Sequence, residues 1–86
     1  MSEDRETSIR RMQMRSMRRG IKEMDLILGG FARTGLAGLN DGELALYDEM
    51  LEENDHDLYA WSSGQMETPE KYNALLGMIV ASVRTK

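Results

Sequence analysis

The chain has 86 residues and a net charge of −4, a size that allows one domain with a thin core. It has no cysteine, which excludes disulfides, thiolate nucleophiles and sulfur-ligated metal sites. The one histidine, His56, is a poor transition-metal site by itself. The longest apolar run, 74–81, is far shorter than the ~20 residues that cross a bilayer. We therefore expect a single soluble domain over 1–86, with disorder at 1–6 and fraying at 85–86.

The charges are unevenly distributed along the chain. Seven of the 11 basic residues lie within 1–22, whereas 41–57 carries acidic residues and no Lys or Arg. A basic helix can follow the phosphates of a nucleic acid, so a small nucleic-acid-binding protein is one possible class. The net negative charge favours the other class, a protein-interaction module. The acidic run 49–57 lacks the order of ligands in a calcium loop, so we expect it to be a solvated face.

Apolar residues recur at three- and four-residue spacing, which predicts an all-α fold, a compact bundle of about five short helices. The first helix is predicted over 7–18, followed by Gly20 in the left-handed conformation that often ends helices. The second begins near Ile21 and should fail in the glycine-rich stretch 29–38, since each glycine costs up to ~1 kcal/mol relative to alanine.

The last three helices have clearer start signals. Asn40 can cap the third, with Glu43 three residues on and a hydrophobic staple between Leu39 and Leu44. The fourth is predicted over 55–62 and is closed by 63–64. Pro69 should occupy the first position of the last helix, where no N–H is needed. The apolar stripe of that helix consists of Tyr72, Leu75, Leu76, Ile79, Val80 and Val83.

The segment 18–25, Arg-Arg-Gly-Ile-Lys-Glu-Met-Asp, combines three chemical features in a short space. Arg19 has a planar guanidinium that suits a carboxylate or phosphate. Gly20 lacks a side chain where another backbone or a flat ligand could approach. Glu23 lies near the positive end of the second helix, which favours its charge. The alternative is a common helix–glycine–helix turn with solvated caps.

Arg19-Gly20-x-x-Glu23, followed by Met24-Asp25, resembles the signature of the SdhE family of succinate dehydrogenase assembly factors. The resemblance continues through 39–43 and 51–58 and reaches Trp61. Two features depart from the family pattern. His56 replaces the proline that is common between two aspartates, and 28–30 is richer in glycine.

The resemblance implies an all-helical assembly factor or chaperone, and not an enzyme. Such a factor binds the flavoprotein subunit of succinate dehydrogenase and promotes covalent attachment of FAD to a histidine of that subunit. A fumarate reductase flavoprotein is a second expected client. We expect no permanently bound cofactor or metal, no nucleic acid, no membrane insertion and a bacterial cytoplasmic location. The expected partner-binding residues are Arg18, Arg19, Gly20, Glu23, Asp25 and Trp61.

Two of the marked residues have a simpler interpretation as well. Trp61 could anchor a partner, because aromatic residues dominate interface energetics, or it could fill the core of the bundle. His56 is expected to be a surface turn residue and not a catalytic base.

Overall fold

The computed structural model describes residues 4–17 and 19–84, which form five α-helices and one short 3-10 turn, with no strand among them. The helices are α1 (Arg5–Ser16), α2 (Lys22–Thr34), α3 (Asp41–Met50), α4 (Asp55–Ser63) and α5 (Glu70–Arg84). The 3-10 turn, Leu36–Gly38, separates α2 from α3. The predicted all-α bundle of about five helices is confirmed. None of the helices in these two stretches is long and apolar enough to cross a membrane.

Helix α1 starts and ends earlier than the sequence predicted. Asp4 caps it by accepting a hydrogen bond from the Thr7 N–H at 2.7 Å. This start lies within 1–6, where we expected disorder; residues 1–3 and 85–86 are outside the described residues. The helix ends at Ser16, because Met17 is already extended at φ −99° and ψ 159°. Gly20 was predicted to be left-handed, and this was wrong: of the described glycines, only Gly64 has a positive φ.

Helix α2 continues through Gly29 and Gly30 and ends at Thr34, within the glycine-rich stretch 29–38 where the sequence predicted its end. Leu28, Phe31 and Ala32 on this helix are buried. Each large apolar side chain that is buried contributes about 1.5–3 kcal/mol, which exceeds the ~1 kcal/mol cost of a helical glycine. The helix therefore continues past the point where propensity alone would end it.

Helix α3 begins with the predicted cap, and α4 begins with a cap that the sequence analysis did not assign. The Glu43 N–H donates to Asn40 Oδ1 at 2.8 Å, and the Asn40 N–H donates to Glu43 Oε1 at 3.0 Å, which completes a capping box. Asn54 caps α4 by accepting from the His56 N–H at 2.8 Å. A proline at position 56 could not donate this bond, so His56 adds a contact here. Gly64 ends α4 in the left-handed conformation, at φ 83°.

The core lies where α2 packs against α1, α4 and α5, and buried residues of α3, which packs against α5, complete it. Tyr72, Leu75, Leu76 and Ile79 of the predicted α5 stripe are buried. The other two members of the stripe are half-buried at its margin. Helix α5 begins at Glu70, so the proline predicted at its first position stands just before it.

The buried part of the α5 stripe provides a test of this core. Leu76 is 2% exposed, so Leu76→Ala should lower the free energy of unfolding by about 2–5 kcal/mol through lost contacts and a cavity. Leu26 is 62% exposed on α2, so Leu26→Ala, the same chemical change, should alter it by about 0.5 kcal/mol or less. Urea unfolding followed by circular dichroism measures both. Equal losses for the two variants would contradict this placement of the core.

Candidate partner-binding site

The segment between α1 and α2 is held to the start of α4 by one carboxylate. Asp55 is the first residue of α4. Its Oδ1 accepts from Arg19 Nε at 2.8 Å, and its Oδ2 accepts from the Gly20 N–H at 2.7 Å. The side chains of Arg19 and Asp55 are only 11% and 18% exposed. These are charge-assisted bonds in a partly desolvated place, where such bonds are strong and directional.

The other donors of Arg19 also point into the protein. One terminal nitrogen donates to the Arg15 carbonyl at 3.0 Å, and the other donates to the Leu51 carbonyl at 3.1 Å. The Arg19 backbone N–H donates to the carboxylate of Asp25. The guanidinium that we expected to face a partner is therefore engaged within the chain.

Gly20 is exposed, and the group that approaches it most closely is the carboxylate of Asp55. A Cβ atom added at Gly20 would lie 3.1 Å from Asp55 Oδ2, which is closer than most real Cβ contacts. Any side chain at this position would therefore push the carboxylate that binds the Gly20 N–H. The sequence correctly indicated a close approach at Gly20, but the approaching group belongs to the same chain.

Glu23 and Asp25 lie in the first turn of α2 and have different surroundings. Glu23 is exposed, and its side chain makes no hydrogen bond or ion pair with any residue of 4–17 or 19–84. No side-chain hydrogen bond caps the start of α2 at Ile21. Asp25 is half-buried and accepts from Arg19. Arg18, which we also expected in the site, lies outside the described residues.

A shallow groove lies beside Asp25, between the end of α1 and α2. Its volume is about 360 Å³, and its walls include Met17, Leu26, Gly29 and Arg33. Met17 is 53% exposed and Leu26 is also exposed, so two apolar side chains of the groove wall are accessible to solvent. The sequence did not indicate which methionines face outward. The exposed methionines of the described residues are Met14, Met17, Met66 and Met78.

Trp61 lies on α4, downstream of Asp55. Its ring packs against that of Tyr72, with the centroids 5.9 Å apart and the planes inclined at 34°. The side chain is half-buried against the core. The residue therefore contributes to packing and keeps part of its surface accessible, so its two expected roles are compatible.

Arginines of α1 pair with acidic residues further along the chain. Arg11 donates from both terminal nitrogens to the two Asp48 oxygens at 2.8 Å. Arg15 contacts Glu52 at 2.5 Å. Asp48 lies just before the run 49–57 that we expected to be a solvated face, and Glu52 is exposed, as expected. The expectation is wrong for Asp55, whose side chain is 18% exposed. The available signal was the four-residue spacing of Arg11 and Arg15, which places them on one face of α1; Arg19 lies beyond the end of that helix.

His56 lies in the first turn of α4. His56 is exposed, as predicted for a surface turn residue. No group of three or more His, Cys, Asp or Glu side chains in the described stretches is arranged to hold a metal ion.

These features define a small helical protein whose junction between α1 and α2, around residues 17–26, combines an exposed backbone, an apolar groove and a carboxylate that has no partner among residues 4–17 and 19–84. Residues 10–83 match the family model described as the flavinator of succinate dehydrogenase (Sdh5). The chain belongs to this family.

Curated relatives are named as assembly factors. The chain is 38% identical over 72 residues to succinate dehydrogenase assembly factor 2, mitochondrial, of Schizosaccharomyces pombe, covering 84% of this chain and 52% of that protein. It is 39% identical over 70 residues to factor 2-B of Drosophila mojavensis, with 79% and 45% covered. It is 44% identical over 61 residues to factor 2 of Meyerozyma guilliermondii, with 71% and 45% covered. The chain thus spans about half the length of these relatives.

The ion pairs between α1 and α3 predict how stability depends on pH. The pKa of the Asp48 carboxyl is held below its ordinary value of 3.8 because Arg11 donates hydrogen bonds to it and the nearby charges of Arg11 and Arg15 attract it. A carboxyl group whose pKa is lower in the folded than in the unfolded protein stabilises the fold at pH values above its unfolded pKa. This stabilisation is lost as the pH falls through the folded pKa. Asp48→Asn should therefore lose less stability than wild type between about pH 5 and about pH 2.

Urea unfolding at several pH values tests this prediction. The matched control is Glu67→Gln, which removes a carboxylate from an exposed position in the loop before α5. The control should follow the wild-type profile. Parallel profiles for wild type and Asp48→Asn would show that the pair with Arg11 contributes nothing to acid sensitivity.

Proposed function

We propose that this protein is an assembly factor that binds the flavoprotein subunit of succinate dehydrogenase and promotes covalent attachment of FAD to a histidine of that subunit. Membership of the flavinator family over residues 10–83 supports this assignment. So do the names of the relatives, although the chain spans only about half of their length. A fumarate reductase flavoprotein is a second proposed client, and the bacterial cytoplasm is the proposed location.

The observation that carries the proposal is the junction between α1 and α2. The Glu23 carboxylate has no partner among residues 4–17 and 19–84, and the exposed backbone of Gly20 lies close to it in sequence. Met17 and Leu26 add an apolar area beside these polar groups. Interfaces commonly combine buried apolar contacts with a few directional polar ones. We propose that the client flavoprotein docks here, and that Trp61 extends the contact along α4.

The proposed mechanism is conformational. The factor holds the immature subunit so that its histidine and the methyl group of the flavin are aligned, while FAD stays bound to the client. Fixing two reactive groups in the correct geometry can supply several kcal/mol of a barrier, up to about 7–11 in favourable cases. The factor itself would supply no nucleophile and no permanently bound cofactor.

The arginine contacts of α1 make the nucleic-acid alternative weaker. Arg5 pairs with Asp41 at 2.9 Å, and Arg11 and Arg15 pair with carboxylates of the acidic segment. Arg10 pairs with Glu6 on its own helix. Nucleic-acid binding requires cationic side chains that neutralise phosphates and so release the counterions condensed on them, and these four arginines already face carboxylates. A generic protein-interaction module remains the second candidate, since the exposed groove is compatible with other clients.

Two substitutions at the junction test the proposal. Gly20→Arg places a side chain against Asp55 and on the docking surface, and Glu23→Ala removes the unpaired carboxylate. Both variants should keep near-normal helical content and should reduce covalent flavin severalfold or more, since the loss of a charged hydrogen bond costs about 1.5–3 kcal/mol. The measurement is flavin fluorescence of the succinate dehydrogenase flavoprotein in a denaturing gel, from cells that lack the native factor.

The control for Glu23→Ala is Glu67→Ala, which removes an exposed glutamate outside the junction. This control should support wild-type fluorescence at matched expression. Normal fluorescence with both junction variants would mean that the junction is only structural. Failure of the wild-type chain to restore any fluorescence would refute the proposed activity itself.

A further inference from the structure

We propose that Asp55 is a positioning residue for the docking surface: it orients the Gly20 backbone and Glu23 without contacting the client. This inference rests on the proposed function. It assigns a role to a residue outside the Arg-Gly-x-x-Glu segment, 35 positions further along the chain. The two regions meet only because α4 brings its first residue against the junction between α1 and α2.

The Asp55 carboxylate is a rigid anchor. The residue occupies the first turn of α4, where the Asn54 cap fixes the local backbone through the His56 N–H at 2.8 Å. Most of its side chain is buried. Its two oxygens bind two consecutive residues, Arg19 through the side chain and Gly20 through the backbone. Two bonds to neighbouring residues fix a direction as well as a distance.

The junction has few other constraints on its path. Met17 and Ile21 are both extended, and α2 begins without a side-chain cap. The remaining side-chain contacts are those of Arg19 with the carbonyls of Arg15, Leu51 and Glu53 and of its N–H with Asp25. None of these holds the Gly20 N–H. Loss of Asp55 would therefore free the backbone at Gly20 while the buried residues of α2 stay packed.

Glu23 is three residues beyond Gly20, at the start of α2. A change in the path of the backbone at Gly20 changes the direction from which the chain enters α2, and therefore where the Glu23 carboxylate lies relative to Gly20. When a protein binds only in one of several conformations, its apparent affinity falls in proportion to the population of that conformation. Asp55 would thus strengthen client binding by keeping the competent arrangement populated.

The chain offers a close control for this role. Asp48 also accepts two hydrogen bonds from an arginine of α1, at 2.8 Å, and is likewise partly buried. Its partners are Arg11 and, at 3.9 Å, Arg15, both within α1, so the Asp48 side chain makes no hydrogen bond or ion pair with residues 17 or 19–21. Asp48→Asn should therefore weaken the tie between α1 and α3 and leave the docking surface as it is.

A double-mutant cycle on client binding tests the proposal. The affinity of the full chain for the purified succinate dehydrogenase flavoprotein lacking covalent flavin is measured for wild type, Asp55→Asn, Glu23→Gln and the double variant. Asparagine cannot accept from both Arg19 and Gly20, because one of its two polar atoms is a donor. Each single variant should weaken binding about tenfold, and the double variant should weaken it about 20-fold or less, not the ~100-fold expected of independent effects. Asp48→Asn should change the affinity by about twofold or less.

The outcomes separate the positioning role from the proposed function. Independent effects of Asp55→Asn and Glu23→Gln, or wild-type affinity of Asp55→Asn, would overturn the positioning role. An equal loss with Asp48→Asn would also overturn it, because the effect would then be one of general stability. If Asp55→Asn does not fold, Arg19→Lys replaces it in the cycle, since it keeps the charge but loses the Nε–H. No binding by the wild-type chain would refute the proposed function instead.

Discussion

The hydrogen bonds of one carboxylate organise the junction on which the proposed site depends. Asp55 binds Arg19 through one oxygen and the Gly20 N–H through the other. A partly buried ion pair is weak evidence for stability, because desolvation offsets much of the attraction. Its clearer effect is on geometry, since a buried charge strongly disfavours arrangements that leave it unpaired. The pair thus joins two separate blocks of the sequence, 19–23 and 51–58, into one structural unit.

The fold could be predicted where its determinants are local. The cap formed by Asn40 and Glu43 and the buried α5 stripe around Leu76 depend on residues within a few positions of one another, and both were found from spacing alone. The path of α2 through Gly29 and Gly30 could not be predicted in this way. Glycine lowers local helix propensity, but burial of the neighbouring α2 residues against other helices overrides it.

The candidate site was only partly predictable for the same reason. Arg19, Gly20 and Glu23 are close in sequence, and their chemical types are enough to indicate a site. Their resemblance to a family signature supported the same residues. The partner of Arg19 was missed, because Asp55 is distant in sequence and belongs to an acidic run that we expected to be solvated. Which residue meets Arg19 depends on how α4 packs, and the helical pattern does not specify that packing.

The central claim is that Asp55 holds the junction between α1 and α2 in one arrangement, and proton exchange measures this most directly. In nitrogen-15 NMR spectra of the free protein, the Gly20 amide and the Arg19 Nε–H should exchange with water much more slowly than the Nε–H of Arg33, which is exposed. Asp55→Asn should accelerate both, while the Leu28 amide in buried α2 stays protected. Rapid exchange at Gly20 and Arg19 in the wild-type protein would contradict the account.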